Sequence, residues 1–191
     1  MIFFHVSSYV KEGDCLTHNS KNNHNICDYI SSTQINDLDD YNTLLAKLKE
    51  KDILQKTGRD HYKWSCEAIF ESIRLMDYND LPSRIWDVYV TRSLDKAIEF
   101  RKKYRSEDAG IFQIDIPEES VYDFDMNLFT EADEALRASS RENYDKAVEL
   151  AHRYWKRIII AESEIECIAD VEIVVGKRVY PISSETTNST Q

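Results

Sequence analysis

No window of this 191-residue chain holds the roughly 18 consecutive apolar residues that a membrane-spanning helix needs. At the start, Met1 to Phe4 gives way at once to His5 and Ser7, so no secretory leader is expected either. Basic charge is in deficit. The 24 Lys and Arg against 35 Asp and Glu leave a formal net charge of −11, which opposes non-specific attraction to nucleic acid or an anionic membrane. Cysteine is sparse: Cys15, Cys27, Cys66 and Cys167 stand without a secretory signal, so reduced thiols are expected rather than a disulfide framework. Internal repeats are also missing. The expectation is a soluble, cytoplasmic protein of one domain, residues 1–182, followed by a loose Ser/Thr/Asn-rich tail, 183–191.

Apolar patterning marks the elements. Residues 2–6 read as a strand and 11–36 as a long polar connection. Leu38, Tyr41, Leu44, Leu45, Leu48 and Ile53 recur at helical spacing and predict a helix over 37–55. A second helix, 63–78, sets Trp64, Ala68, Ile69, Ile73 and Met76 on or near one face as core, and Pro82 then enforces an extended turn. The spacing next predicts a strand over 85–91, a helix over 94–104 capped by Ser93, and a strand over 111–116 that Gly110 opens and Pro117 ends. A short strand at 121–124 precedes a long amphipathic helix, 141–157, that turns Tyr144, Ala147, Val148, Ala151, Tyr154 and Trp155 inward. Strands at 164–169 and 171–175 close the chain, with a turn at Gly176. Without a regular strand-helix alternation, the pattern favours a mostly antiparallel α+β fold over a doubly wound parallel sheet.

Two polar clusters invite a chemical reading. Cys15, His18, His24 and Cys27 form a C-x2-H-x5-H-x2-C run, four zinc-ligand types in a polar stretch. Its short central spacing favours a surface loop, and no metal is expected; loss of stability on chelation would show otherwise. Arg101, Lys102, Lys103 and Arg105 read as the solvated face of a helix, with a local basic patch as the alternative.

Three segments carry the chemistry. Phe3-Phe4-His5-Val6-Ser7 puts an imidazole on the first strand; Val88-Tyr89-Val90-Thr91, followed by Ala97 and Phe100, is a strand, turn and helix with two rings. Ile165-Glu166-Cys167-Ile168 puts a carboxylate on an otherwise apolar strand. Each has an ordinary explanation in a satisfied histidine, core rings or an edge carboxylate. Yet a strand-turn-helix can set two rings face to face around a flat heterocycle. A carboxylate among apolar neighbours is costly to bury without a partner, which argues that Glu166 faces a cleft. Arg84, just before the tyrosine strand, is a candidate for a phosphate or target contact, or for an ion pair.

In order and spacing these segments resemble the ADP-ribosyltransferase superfamily, in the His-Tyr-Glu branch that includes diphtheria toxin and the poly(ADP-ribose) polymerases. The resemblance implies an antiparallel split-sheet fold and NAD as substrate. It assigns His5 and Ser7 to the adenosine-side ribose, and the backbone of Val6, which stands where the branch has Gly, to the nicotinamide carboxamide. Tyr89 and Phe100, the latter in place of the usual tyrosine, would clamp the nicotinamide, with Thr91 as the strand hydroxyl residue. Glu166 would bond the nicotinamide-ribose 2′-hydroxyl and stabilise the cation that develops there. Glu164 makes a Glu-x-Glu similar to that of the arginine-modifying transferases and takes a secondary, acceptor-orienting role.

The function so implied is mono-ADP-ribosyl transfer to a protein or nucleic-acid acceptor. A toxin, phage-defence or effector enzyme is the setting implied, with an antitoxin or inhibitor as partner. An NAD glycohydrolase, a non-catalytic NAD-binding module and an unrelated α+β interaction protein stay open as alternatives.

Overall fold

A computed structural model describes residues 1–17, 60–137, 141–160 and 164–180. The opening strand, β1 (Ile2–Ser7), pairs antiparallel with β4 (Gly110–Asp115), from Ile2 opposite Asp115 to Ser7 opposite Gly110. On its other edge β4 pairs with β8 (Arg178–Tyr180), which makes a three-stranded sheet in the order β1-β4-β8. A second sheet runs β3-β6-β5, from β3 (Val88–Val90), β6 (Ile165–Ala169) and β5 (Val121–Asp125). Short strands β2 (Cys15–Leu16) and β7 (Ile173–Val174) pair with each other. Every one of these pairings is antiparallel, so the class is α+β with antiparallel sheets.

Among the described residues one backbone bridge joins the two larger sheets. Phe4 N–H donates to the Thr91 carbonyl at 2.9 Å, and Thr91 N–H returns to the Phe4 carbonyl at 2.8 Å. Along an antiparallel strand, alternate residues turn their N–H and C=O to the same edge, so Val6 presents its pair where Phe4 does. Among the described residues Val6 makes no bond to β3, and the sheets part there.

Helices cover both sheets. On the first lies α2 (Leu94–Tyr104), whose N-cap Ser93 accepts the Lys96 N–H through Oγ at 3.2 Å and whose Ala97 packs with Val6, Ala109 and Ile111. The second sheet carries α1 (Asp60–Asp77), α3 (Met126–Arg137) and α4 (Arg141–Trp155), which bury Phe70, Ile73, Phe129 and Tyr154 against Phe124 and Ile168. Trp155 donates its indole N–H to the Phe70 carbonyl at 2.7 Å, so its one polar atom is satisfied in the core. The opposite face of that sheet, with Val88, Val90 and Cys167, packs on Phe3, Phe112 and Ile173. Glu166 shares the strand parity of Ile168, not of Cys167, and so points toward the helices. Gly176 passes so close to β4 that an added Cβ would lie 2.5 Å from the Gln113 carbonyl oxygen.

Several elements depart from the sequence pattern. The strand expected over 85–91 is only Val88–Val90, because Ser83 and Asp87 close a turn in which the Ser83 N–H donates to Asp87 Oδ2 at 2.6 Å. Helix α3 was not foreseen. Its buried residues Leu128, Phe129, Ala132 and Leu136 do keep helical spacing, diluted by acidic neighbours. Strand β8 is likewise an addition, and Met76, expected in the core, is exposed. The helix expected over 37–55, the tail from 183, and His18, His24 and Cys27 lie outside the described residues. Among the described residues no helix is long and apolar enough to cross a membrane, and no group of His, Cys, Asp and Glu could hold a metal ion.

Candidate functional site

The turn between α1 and β3 is fixed by Ser83, whose Oγ donates to Glu71 Oε2 at 2.9 Å and accepts the Ile85 and Trp86 N–H groups at 3.1 and 3.2 Å. That turn delivers Arg84 to the interior. Its guanidinium grips Glu67 of α1 with two bonds, Nε to Oε2 at 2.9 Å and Nη2 to Oε1 at 3.1 Å. Nη1 reaches Tyr154 Oη at 2.9 Å and also binds Glu166 Oε1. The Tyr154 hydroxyl donates to the same oxygen, Glu166 Oε1, at 2.8 Å. Phe129 stacks on the guanidinium with its centre 3.9 Å from Cζ, and the rings of Tyr154, Tyr89 and Phe70 stand 5.2 to 5.9 Å away.

Charge in this cluster is set by mutual support. Burial works against the Arg84 charge, and Glu166 and then Glu67 more than offset it, holding the guanidinium well above its ordinary range. Burial raises the Glu166 carboxyl above the usual carboxylate value, while Arg84 and the Tyr154 hydrogen bond pull it back. Both phenols, Tyr89 and Tyr154, are pushed well up by burial and stay protonated, which makes Tyr154 a donor. The second Glu166 oxygen, Oε2, has no protein partner among the described residues and is not sealed from solvent. One carboxylate oxygen is therefore anchored, and the other is unpaired among the described residues in a side chain that is 11% exposed.

The second pole of the site is His5, almost fully buried. Its Nδ1 lies 2.9 Å from the Tyr89 carbonyl, the group that a regular ladder would pair with the Val6 N–H. The imidazole thus takes that N–H's place where the sheets part. Burial is the largest influence on His5 and lowers its pKa, with the Tyr89 bond opposing and Arg105 adding to the lowering. A neutral ring that donates through Nδ1 leaves the Nε2 lone pair as acceptor. Tyr89 joins the two poles: its carbonyl holds His5 while its ring stands beside Arg84 and the helical core. Since β3 lies between β1 and β6, those two strands are about two strand spacings, ~10 Å, apart.

The other expected residues are distributed around these poles. Thr91 shares in the bridge, and its Oγ1 donates to the Ser93 carbonyl at 3.3 Å. Ser7 Oγ accepts the Tyr9 N–H at 3.1 Å. Val6 points its side chain into the α2 cluster, which leaves its backbone edge clear. Phe100 belongs to that same cluster, beside Tyr104 at 5.2 Å and under Arg105, and among the described residues it makes no ring contact with Tyr89. Glu164 pairs with Lys103 at 3.7 Å and ties the start of β6 to the end of α2. Arg84, a candidate for a phosphate or target contact or for a surface ion pair, makes its ion pairs in the interior, with Glu67 and Glu166. Of the charged cluster that sequence reasoning missed, Glu67, Glu71 and Arg74 recur at i, i+4 and i+7 on α1, a spacing that reads as a solvated stripe. The structure buries them against the Ser83–Arg84 turn, with Arg74 binding Glu71 at 2.8 Å and the Leu81 carbonyl at 2.9 Å.

An α+β protein with antiparallel sheets and a buried Arg-Glu-Tyr cluster is thus the class that fold and site define. The chain belongs to the family described as a protein of unknown function (DUF2441), whose model matches residues 3–180, a span that includes His5, Tyr89 and Glu166. No curated protein matches it.

Proposed function

We propose that this protein is a mono-ADP-ribosyltransferase of the His-Tyr-Glu kind, with NAD as substrate and a protein or nucleic acid as acceptor. The observation that carries the reading is the role of Tyr89, which bonds His5 through its carbonyl and stands by its ring at the Arg84–Glu166 cluster. The parting of the two sheets also supports it, because the Val6 backbone faces the gap and suits a carboxamide. In this reading His5 Nε2 accepts from a ribose hydroxyl, and Glu166 Oε2 accepts from the 2′-hydroxyl of the nicotinamide ribose.

The reaction follows from that placement. The C1′–N bond breaks with its electron pair leaving on nicotinamide, and cationic character grows on the ribose. Glu166 faces that charge. An acceptor nucleophile then attacks C1′ and releases its proton to solvent. In this reading Phe100, which packs in the same cluster as Val6, forms one wall of the nicotinamide site beside the Val6 backbone.

Incubation with biotin-labelled NAD and a cell lysate, followed by protease or nuclease, tests the proposal. Label that one treatment removes identifies the acceptor class. The same label should vanish with Glu166→Gln. Rapid release of free ADP-ribose without labelled macromolecule would make the protein a glycohydrolase, and no nicotinamide release would end the enzymatic reading.

A further inference from the structure

A carboxylate that steadies a cation must be ionised and must keep its free oxygen in one place. Resting on the transferase reading, we infer that the Tyr154 hydroxyl and the Arg84 guanidinium are positioning groups that pin Glu166 Oε1, so that Oε2 alone is presented to substrate. Three observations carry this. Both groups bind the same oxygen of Glu166 and, among the described residues, leave the other without a protein partner. Neither donor can swing away, because Arg84 is held by two bonds to Glu67 and the Tyr154 ring is stacked on Phe124 at 4.7 Å and edge-on to Trp155 at 4.8 Å. And the groups come from four elements, Glu67 on α1, Arg84 in the turn, Tyr154 on α4 and Tyr89 on β3, so the Glu166 carboxylate is fixed before substrate arrives.

Glu67 has a second part in the device. A lone Arg84–Glu166 pair would be neutral and would offer little to a developing cation. With Glu67 sharing the same guanidinium, the cluster holds two carboxylates against one cation and keeps a net negative charge. Tyr89, Tyr154 and Arg84 do not change charge in the acid range, so an acid limb that the Tyr154 hydroxyl can move belongs to Glu166, whereas His5 stands outside this cluster.

Tyr154→Phe is the informative variant, because it keeps the stacked ring and removes only the hydroxyl. The expected result is a kcat about tenfold lower, the weight of one hydrogen bond to a charged group, with KM for NAD unchanged. The acid limb of kcat should move to higher pH, because a carboxylate that loses a donor holds its proton more tightly. A merely structural role for the hydroxyl would lower thermal stability and leave the limb in place. The second readout needs no turnover: the Glu166 carboxyl is titrated by NMR in protein carrying carbon-13 glutamate, with Glu166→Gln to assign the signal. Its midpoint should rise in Tyr154→Phe. An unmoved limb or an unmoved titration overturns the inference. Absence of NAD turnover in the intact protein refutes the transferase reading instead, and the titration then decides the positioning by itself.

Discussion

Arg84 and Arg92 each bind two carboxylates, and they do so on opposite faces of the same sheet. Arg84 meets Glu67 and Glu166 on the face that carries the helices, where its side chain is 5% exposed. Arg92 meets Glu118 and Asp123 on the other face, where its side chain is 38% exposed. The two faces are one residue apart in register, since Phe124 stands opposite Glu166 and Asp123 opposite Cys167. Similar groups in similar number therefore differ mainly in access to water. In the dry cluster every charge depends on its partners, because a stranded ion there has no solvent to take it up. The wet one is a set of optional contacts.

The largest expected effect is that of Arg84→Met, which leaves Glu67 and Glu166 buried without a cation. A loss of about 3–5 kcal/mol should appear in urea denaturation, as for other broken buried ion pairs. Adding Glu67→Gln to that variant should restore part of the loss, because one of the two stranded charges is gone. Should Arg84→Met prove neutral, the cluster would be solvated and the comparison would collapse.

Next in size is the effect on chemistry. Glu166→Gln keeps the shape of the side chain, and transfer should fall on the order of 10²-fold or more while NAD binding persists. Tyr89→Ala should act differently and weaken NAD binding itself, read by calorimetry, because it removes a ring from the site and a wall from the Arg84 cage. Turnover by Glu166→Gln equal to that of the intact protein would refute the assignment. A normal affinity in Tyr89→Ala would remove the ring from the site.

How much of this was legible in the sequence varies with the kind of signal. Strand parity around Glu166 and the Ser93 cap were readable, because alternation and capping are local. The Arg84 cluster was not. Glu67 and Glu71 look like a solvated helix stripe until the turn from Pro82 folds Ser83 and Arg84 back over them, a contact between residues 17 apart in the chain. Tyr154 was read as core and is core, but its hydroxyl role depends on a strand 12 residues later. His5 lay in plain view, whereas its bond to the Tyr89 carbonyl rests on the sheets parting one residue further on, which no local pattern announces. Helix α3 was hidden because Glu131, Asp133 and Glu134 break up the apolar pattern of 126–137.

His5 sharpens the comparison by reversing the sign of its pH dependence. The folded state lowers the His5 pKa, so below about 6.5 the unfolded chain binds the proton more readily and stability declines as pH falls through the lower folded value. Glu166 is the opposite case. Its folded pKa is raised, so its contribution is complete below the unfolded value and is lost as pH rises through the folded one. His5→Ala should cost about 1–3 kcal/mol near neutral pH, for the Tyr89 carbonyl left without its donor. In urea titrations from about pH 8 to about pH 5, the gap between the intact protein and His5→Ala should narrow as the pH falls. A gap that widens would mean that the fold holds the imidazole charged, and a flat one that burial does not act on it.

The smallest effect belongs to Arg92. Its two-pronged contact with Asp123, at 3.0 and 3.1 Å from Nη2, joins the turn after β3 to β5, and its guanidinium also lies over the Phe3 ring at 5.4 Å. Solvent screens the two ion pairs, so Arg92→Ala should cost less than about 1 kcal/mol in urea denaturation. Raising the salt from about 0.1 to about 1 M should shrink that difference, because the Debye length contracts to roughly 3 Å. The Arg84→Met loss should hardly respond to the same salt, since ions do not enter its cluster. If Arg92→Ala proved as damaging as Arg84→Met, exposure would not be what separates the two faces. The stacking of Arg92 on Phe3, a packing contact that salt leaves alone, would then be the dominant part of its contribution.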